Sequence, residues 1–159
     1  MSLDARVLST KPLKAPAPLP HVSRRALRRV KNPLPAPESC PYCAGRVELV
    51  SNAVIYRREY GSWPYLYLCA ACDAYVGLHP DTDIPLGTLA NLELREARKE
   101  SKALFFEALE IHGIGRTEAY RRLADAMGIP VGECHFGWFD LERCRMASEV
   151  LSQRADEHA

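Results

Sequence analysis

Of the six cysteines in this 159-residue chain, four form two pairs of the same design. Cys40 and Cys43 stand in CPYCAG, Cys69 and Cys72 in LCAACDAYVG, and 25 residues separate the pairs. Two residues between thiols let one tight turn aim both sulfurs at a single ion while nearby amides support them, and a structural zinc takes four ligands in a tetrahedron. Each pair supplies half a site, so the spacing predicts one structural Zn2+ held by Cys40, Cys43, Cys69 and Cys72. Iron is the weaker alternative with the same ligands. Four thiolates close the shell and leave no position for water, which argues against hydrolysis at this ion. A redox dithiol needs one such pair at a helix start within a βαβ pattern, whereas both pairs here are bordered by strand-like sequence. Disulfides fit less well still, because the expected cytoplasmic compartment is reducing.

The elements that must position the thiols follow from periodicity. RVELV, AVIYRRE, YLYLC and AYVGL, between residues 46 and 78, are rich in β-branched and aromatic residues and are separated by turn signals at SN and GSWP. They predict short antiparallel strands. After the loop HPDTDIPLG the period changes: Ala90, Leu94, Ala97, Leu104, Ala108 and Ile111 recur at helical steps among Glu, Arg and Lys. That stretch predicts a long amphipathic helix stopped by a glycine cap at Gly113. RTEAYRRLADAMG predicts a second helix with Ala119, Tyr120, Leu123, Ala124 and Met127 on one face. Asp140 caps a last one, LERCRMASEVLSQ, with the stripe Leu141, Cys144, Ala147 and Leu151. The expected fold is α+β: a small antiparallel four-cysteine zinc ribbon over 39–79, then a three-helix extension over 80–159 packed on it.

Charge is unevenly spread. Residues 1–39 hold eight Lys and Arg against two acids, while the rest holds thirteen against eighteen, so a basic leader precedes an acidic body. Seven of the twelve prolines precede Cys40 and flank SRRALRRVK. Such composition predicts a disordered, flexible arm over 1–38. The apolar runs are too short to cross a bilayer and the N-terminus lacks the apolar core of a secretory signal, so the expected location is the cytoplasm.

Three further groups of residues invite chemistry. His79, Asp81 and Asp83 combine an imidazole with two carboxylates, although Asp and Thr bonding the backbone of a structured loop explains them more simply. Cys134, His135 and Cys144, with His112, do not form a recognised ligand frame, and a thiol on the apolar stripe of a helix packs as a small hydrophobe. Trp63 and Tyr65, beside Tyr67 and with Arg57 and Arg58 on the preceding strand, resemble the aromatic and arginine faces on which single-strand binders stack bases. Arg24, Arg25, Arg28, Arg29 and Lys31 suit phosphate contacts. Core filling is the competing reading for the aromatics, and a solvated linker for the basic cluster.

CPYCAGRVELV, LCAACDAYVGLHPDTDIPLGTLANLELR, RTEAYRRLADAMGI and ECHFGWFD together resemble a small zinc-finger-containing family found in phages, prophages and related mobile elements, described only as zinc-finger proteins of unknown function. The resemblance covers the chain from about Cys40 to the last helix. It implies a zinc-bound ribbon followed by helices, with Cys40, Cys43, Cys69 and Cys72 as ligands. His79 and the turn Pro85-Leu86-Gly87 are motif positions without an assigned role. Gly115 stands where such proteins are expected to have a capping Ser, and the basic leader lies outside the shared pattern.

The expected function is a noncatalytic zinc-binding module that recognises DNA or RNA through Arg57, Arg58, Trp63, Tyr65 and the basic arm, in a phage or mobile-element context within a bacterial cell. The alternative is an adaptor that binds a host or phage protein through its acidic helical body. An enzyme built on His79, Asp81, Asp83 or His135 lacks a complete set of nucleophile, base and orienting group.

Overall fold

The computed structural model describes residues 2–156 and divides the chain into two compact units, the first ending at Asn91 and the second starting at Leu92. The first is built on an antiparallel sheet of order β1-β2-β3, with β1 at Val47–Ser51, β2 at Tyr65–Cys69 and β3 at Tyr75–Gly77. Strands β1 and β2 pair from Val47↔Cys69 to Ser51↔Tyr65, and β2 and β3 from Leu66↔Gly77 to Leu68↔Tyr75. Isolated bridges Leu78↔Pro85 and Tyr75↔Ala90 fold the 79–90 loop back along β3.

Two expectations for this unit are corrected. AVIYRRE is not a strand, and Arg57 and Arg58 do not lie on one. Asn52 opens a helical turn, Ala53–Tyr56 (the second helix of the chain), which Arg57 ends in the left-handed region at φ 66°. A strand needs a ladder partner. Here the carbonyls of Asn52 and Ala53 are instead satisfied locally, by the amides of Ile55, Tyr56 and Arg57 at 2.7–3.0 Å.

The N-terminal arm is not disordered. A 3-10 turn at Ala5–Val7 is capped by Asp4, and α1, Arg24–Arg29, is capped by Ser23, whose Oγ accepts from the Ala26 amide at 3.2 Å. Val7, Leu19, Val22, Leu27 and Val30 are buried in one cluster with Tyr67, Cys69, Val76 and Leu78 of the sheet. Arg6 forms a two-pronged bond to Asp83 at 2.8 and 3.1 Å, and the Ser23 amide donates to the Asp81 carbonyl at 2.9 Å. Composition undercounts such a segment: its few Val and Leu residues find an apolar sheet face, and its prolines reduce the entropy lost on ordering.

The second unit contains α3 (Leu92–His112), α4 (Arg116–Met127) and α5 (Leu141–Asp156). Gly113, at φ 61°, takes the left-handed conformation that ends α3, and Gly128, at φ 70°, does the same for α4. Asp140 caps α5, accepting from the Arg143 amide at 2.8 Å. The core centres on Phe105, Leu123 and Phe139, with Phe136 5.3 Å from Phe105 and 5.2 Å from Phe139. This aromatic cluster rotates the buried stripe of α3 onto Leu94, Ser101 and Phe105 and leaves Ile111 half exposed. Buried Ser101 donates its hydroxyl to the Ala97 carbonyl at 2.9 Å, so its burial leaves no unpaired polar atom. Among the described residues, no helix is long and apolar enough to cross a membrane.

Candidate metal centre

The two cysteine pairs sit on one hinge of the sheet. Val47, first residue of β1, pairs with Cys69, last residue of β2, so the turn before one strand lies beside the turn after the other. The turns are built alike. In the first, the Ala44 amide donates to the Cys40 carbonyl at 2.8 Å and the Cys40 amide to the Gly45 carbonyl at 2.9 Å. In the second, Asp73 donates to Cys69 at 3.0 Å and Cys69 to Ala74 at 2.8 Å. Ala44 and Asp73, each the residue after the second cysteine, are both left-handed at φ 61°. Each chain reversal thereby turns both thiols of its pair to the same side.

The four sulfurs converge. Cys40 Sγ lies 3.4 Å from Cys72 Sγ, Cys43 Sγ lies 3.5 Å from Cys69 Sγ, and all four lie within 4.8 Å of one another. Ligands about 2.3 Å from one tetrahedral ion stand about 3.8 Å apart, so the cluster fits a single Zn2+. Backbone amides complete the support: Tyr42 N–H points at Cys40 Sγ and Gly45 N–H at Cys43 Sγ, each at 3.4 Å. Gly45 sits in a tight space. A Cβ there would meet the sulfurs of Cys43 and Cys69 at 3.1 Å and Ala71 Cβ at 3.2 Å.

Without a cation the four thiols cannot all ionise. At Cys69 desolvation pushes the thiol up, but amides of Cys72 and Ala71 and the Cys43 sulfur outweigh it and bring it down to about 7. At Cys72 the Ala74 amide lowers the thiol, but the Cys40 sulfur, burial, and the Cys43 and Cys69 sulfurs push it up to about 12. One thiolate is thus favoured and its neighbours resist the next, which is the frustration that a divalent cation removes.

The remaining candidates are dispersed. Trp63 and Tyr65 pack against the core of the first unit, their rings 5.0 Å apart, and the Trp63 indole donates to the Thr82 carbonyl at 2.9 Å. Arg57 and Arg58 are exposed beyond β1. Arg24 is drawn inward, donating to the carbonyls of Arg6 and Lys11, while Arg25, Arg28, Arg29 and Lys31 are exposed. Thr82 bonds the His79 carbonyl and the Ile84 amide, Asp83 holds Arg6, and Asp81 holds His21 at 3.1 Å, so this loop is the dock of the N-terminal segment. Cys134 and Cys144 are buried, and desolvation pushes the Cys134 thiol up to about 11. The pairing of the loop with residues some sixty to eighty positions away carries no local sequence signal.

A short antiparallel sheet whose strand ends carry two matched turns, closing four thiols around one point, defines a zinc finger with a single four-cysteine site. Residues 36–154 match a family described as a zinc-finger-containing domain, and the chain belongs to that family. The match starts after the N-terminal segment that packs on the sheet. Among curated proteins and solved structures, nothing matches the chain.

Proposed function

We propose that this protein is a noncatalytic nucleic-acid-binding module in which zinc holds the sheet that carries the contact surface. The observation that supports the reading most is the basic face of α1. Arg25, Arg28 and Arg29 share one side of the helix at helical spacing and are exposed, with Lys31 just beyond, while Leu27 is fully buried and fixes the helix to the zinc-bearing core. Charges on a seated helix present a defined spacing to phosphates, with less ordering entropy to lose than charges on a free tail. The first unit, with eleven Lys and Arg against seven acids, carries the positive balance of the chain. A setting in phages or other mobile elements belongs to this proposal through the sequence resemblance alone.

The test is point substitution, because deleting residues 1–38 would strip Leu27 and its neighbours from the core. Replacing Arg25, Arg28 and Arg29 by Gln should weaken binding to DNA and RNA alike and flatten the salt dependence by about 0.7–0.9 log units per lost phosphate contact. Absence of binding to any nucleic acid by the zinc-loaded protein at low salt would overturn the reading. A protein-binding adaptor then takes its place, and one feature favours it: Leu104, Ala108, half-exposed Ile111 and Leu151, with Glu107 and His112, line a small pocket on the acidic second unit.

A further inference from the structure

The connection from β1 to β2 runs through residues 52–64, where a tight hairpin needs about two. It is a built structure. Asn52, only 9% exposed, donates its side-chain amide to the Tyr60 carbonyl at 2.9 Å and accepts from the Tyr60 amide at 3.0 Å. Its own amide donates to the Pro64 carbonyl at 2.8 Å, and Arg57 holds a left-handed conformation at the turn. What this scaffold presents is aromatic and cationic. Tyr56 and Tyr60 are 46% and 51% exposed with rings 5.2 Å apart, and Val54 beside them is 63% exposed. Arg58 lies 4.8 Å over the Tyr60 ring and donates to its hydroxyl at 2.9 Å, and Arg57 is exposed next to it. The single acid of the tip, Glu59, is within 3.5 Å of the Ser51 hydroxyl. Trp63 and Tyr65, immediately downstream, are tucked against the core instead. The fold thus sorts its neighbouring aromatics into a packed pair and a displayed pair.

From this we infer that the β1–β2 tip is a binding site for the unpaired bases of single-stranded nucleic acid, stacked on Tyr56 and Tyr60 with Arg57 and Arg58 on the flanking phosphates. The inference rests on the proposed function and assigns its substrate class. Base faces are available to two tyrosines only when unpaired, whereas the arginine face of α1 reads phosphates of any strand. The tip lies at the far end of the β1–β2 ladder from Cys69, four residue steps or about 13 Å along the strands, so substitutions there leave the thiols untouched.

The test is fluorescence anisotropy of labelled oligo(dT) and oligo(U) of about 12 nucleotides, and of a duplex of the same length, with the full zinc-loaded chain. Joint Tyr56→Ala and Tyr60→Ala should weaken both single strands by about tenfold or more and leave duplex affinity within about twofold, at unchanged zinc content. Tyr56→Phe with Tyr60→Phe should restore single-strand binding, since stacking survives loss of the hydroxyl. A stronger effect on oligo(U) than on oligo(dT) makes RNA the preferred strand, and the reverse makes it DNA. If the alanine pair binds single strands as the unchanged protein does while the Arg25, Arg28 and Arg29 substitutions weaken binding, the tip is not the site and the proposed function survives. If the unchanged protein binds none of the three probes, both fall together.

Discussion

The two units reach stability by opposite routes. In the first, three strands of five, five and three residues bury Tyr67, Cys69 and Val76 against side chains from as far away as Val7, with four thiols drawn to one point. In the second, three helices bury an aromatic cluster through repeats three, four and seven residues apart, with no metal-ligand cluster among the described residues. The difference is one of range. A helix satisfies its backbone within itself and needs only a stripe to bury, whereas a small sheet must recruit partners across the sequence, and here an ion fixes the recruitment.

Removing the ion should separate the units most sharply. Chelation withdraws an apparent binding energy of about 10–16 kcal/mol, and Cys69→Ser, which leaves three thiols, withdraws part of it. Tertiary NMR signals of residues 2–91 should collapse while far-ultraviolet circular dichroism retains most of its helical signal. Acid should act in the same direction. Zinc-bound thiolates stabilise the fold where unfolded thiols would be protonated, so this stability is present at high pH and lost as protons compete. Zinc release, followed with a chromophoric chelator, should therefore increase as the pH is lowered, and the tertiary signals of the first unit should be lost with it.

Phe105→Ala should do the converse. It opens a cavity in the second unit at a cost of about 3–5 kcal/mol, and should lower the helical melting transition without changing zinc stoichiometry. Gly45→Ala is the next smaller effect: its Cβ would press on two sulfurs and on Ala71, and overpacking of this kind costs about 1–3 kcal/mol. It should be read as weaker zinc affinity in competition with a chromophoric chelator. The smallest is Asp83→Asn, which takes the charge from the Arg6 pair at a cost of about 1 kcal/mol. It should speed hydrogen exchange in residues 5–30 while zinc stays bound.

This contrast also governs what the sequence discloses. The four ligands were legible because each pair is local, two residues apart. The three helices were legible because their period is local too, although the buried face of α3 was set by Phe105 meeting Phe136 and Tyr120, which no stripe within α3 announces. The N-terminal segment was not legible, since Arg6 finds Asp83 across 77 positions. Trp63 and Tyr65 pack in part against the core of the first unit, a placement that type and spacing do not disclose. Tyr56 stands in a run, AVIYRRE, whose Val, Ile and Tyr imitate a strand, so neither the helical turn there nor the pairing of its ring with Tyr60 was legible. The signal that points to them is Asn52 followed by a long connection to GSWP, too long for a hairpin turn.

Whether four thiolates bind one zinc and so hold the first unit together can be read from zinc K-edge X-ray absorption on the purified protein. One zinc per chain with four sulfur neighbours at about 2.3 Å is the expected result. A shell containing nitrogen or oxygen, or cysteines found paired in disulfides with no metal, would contradict it.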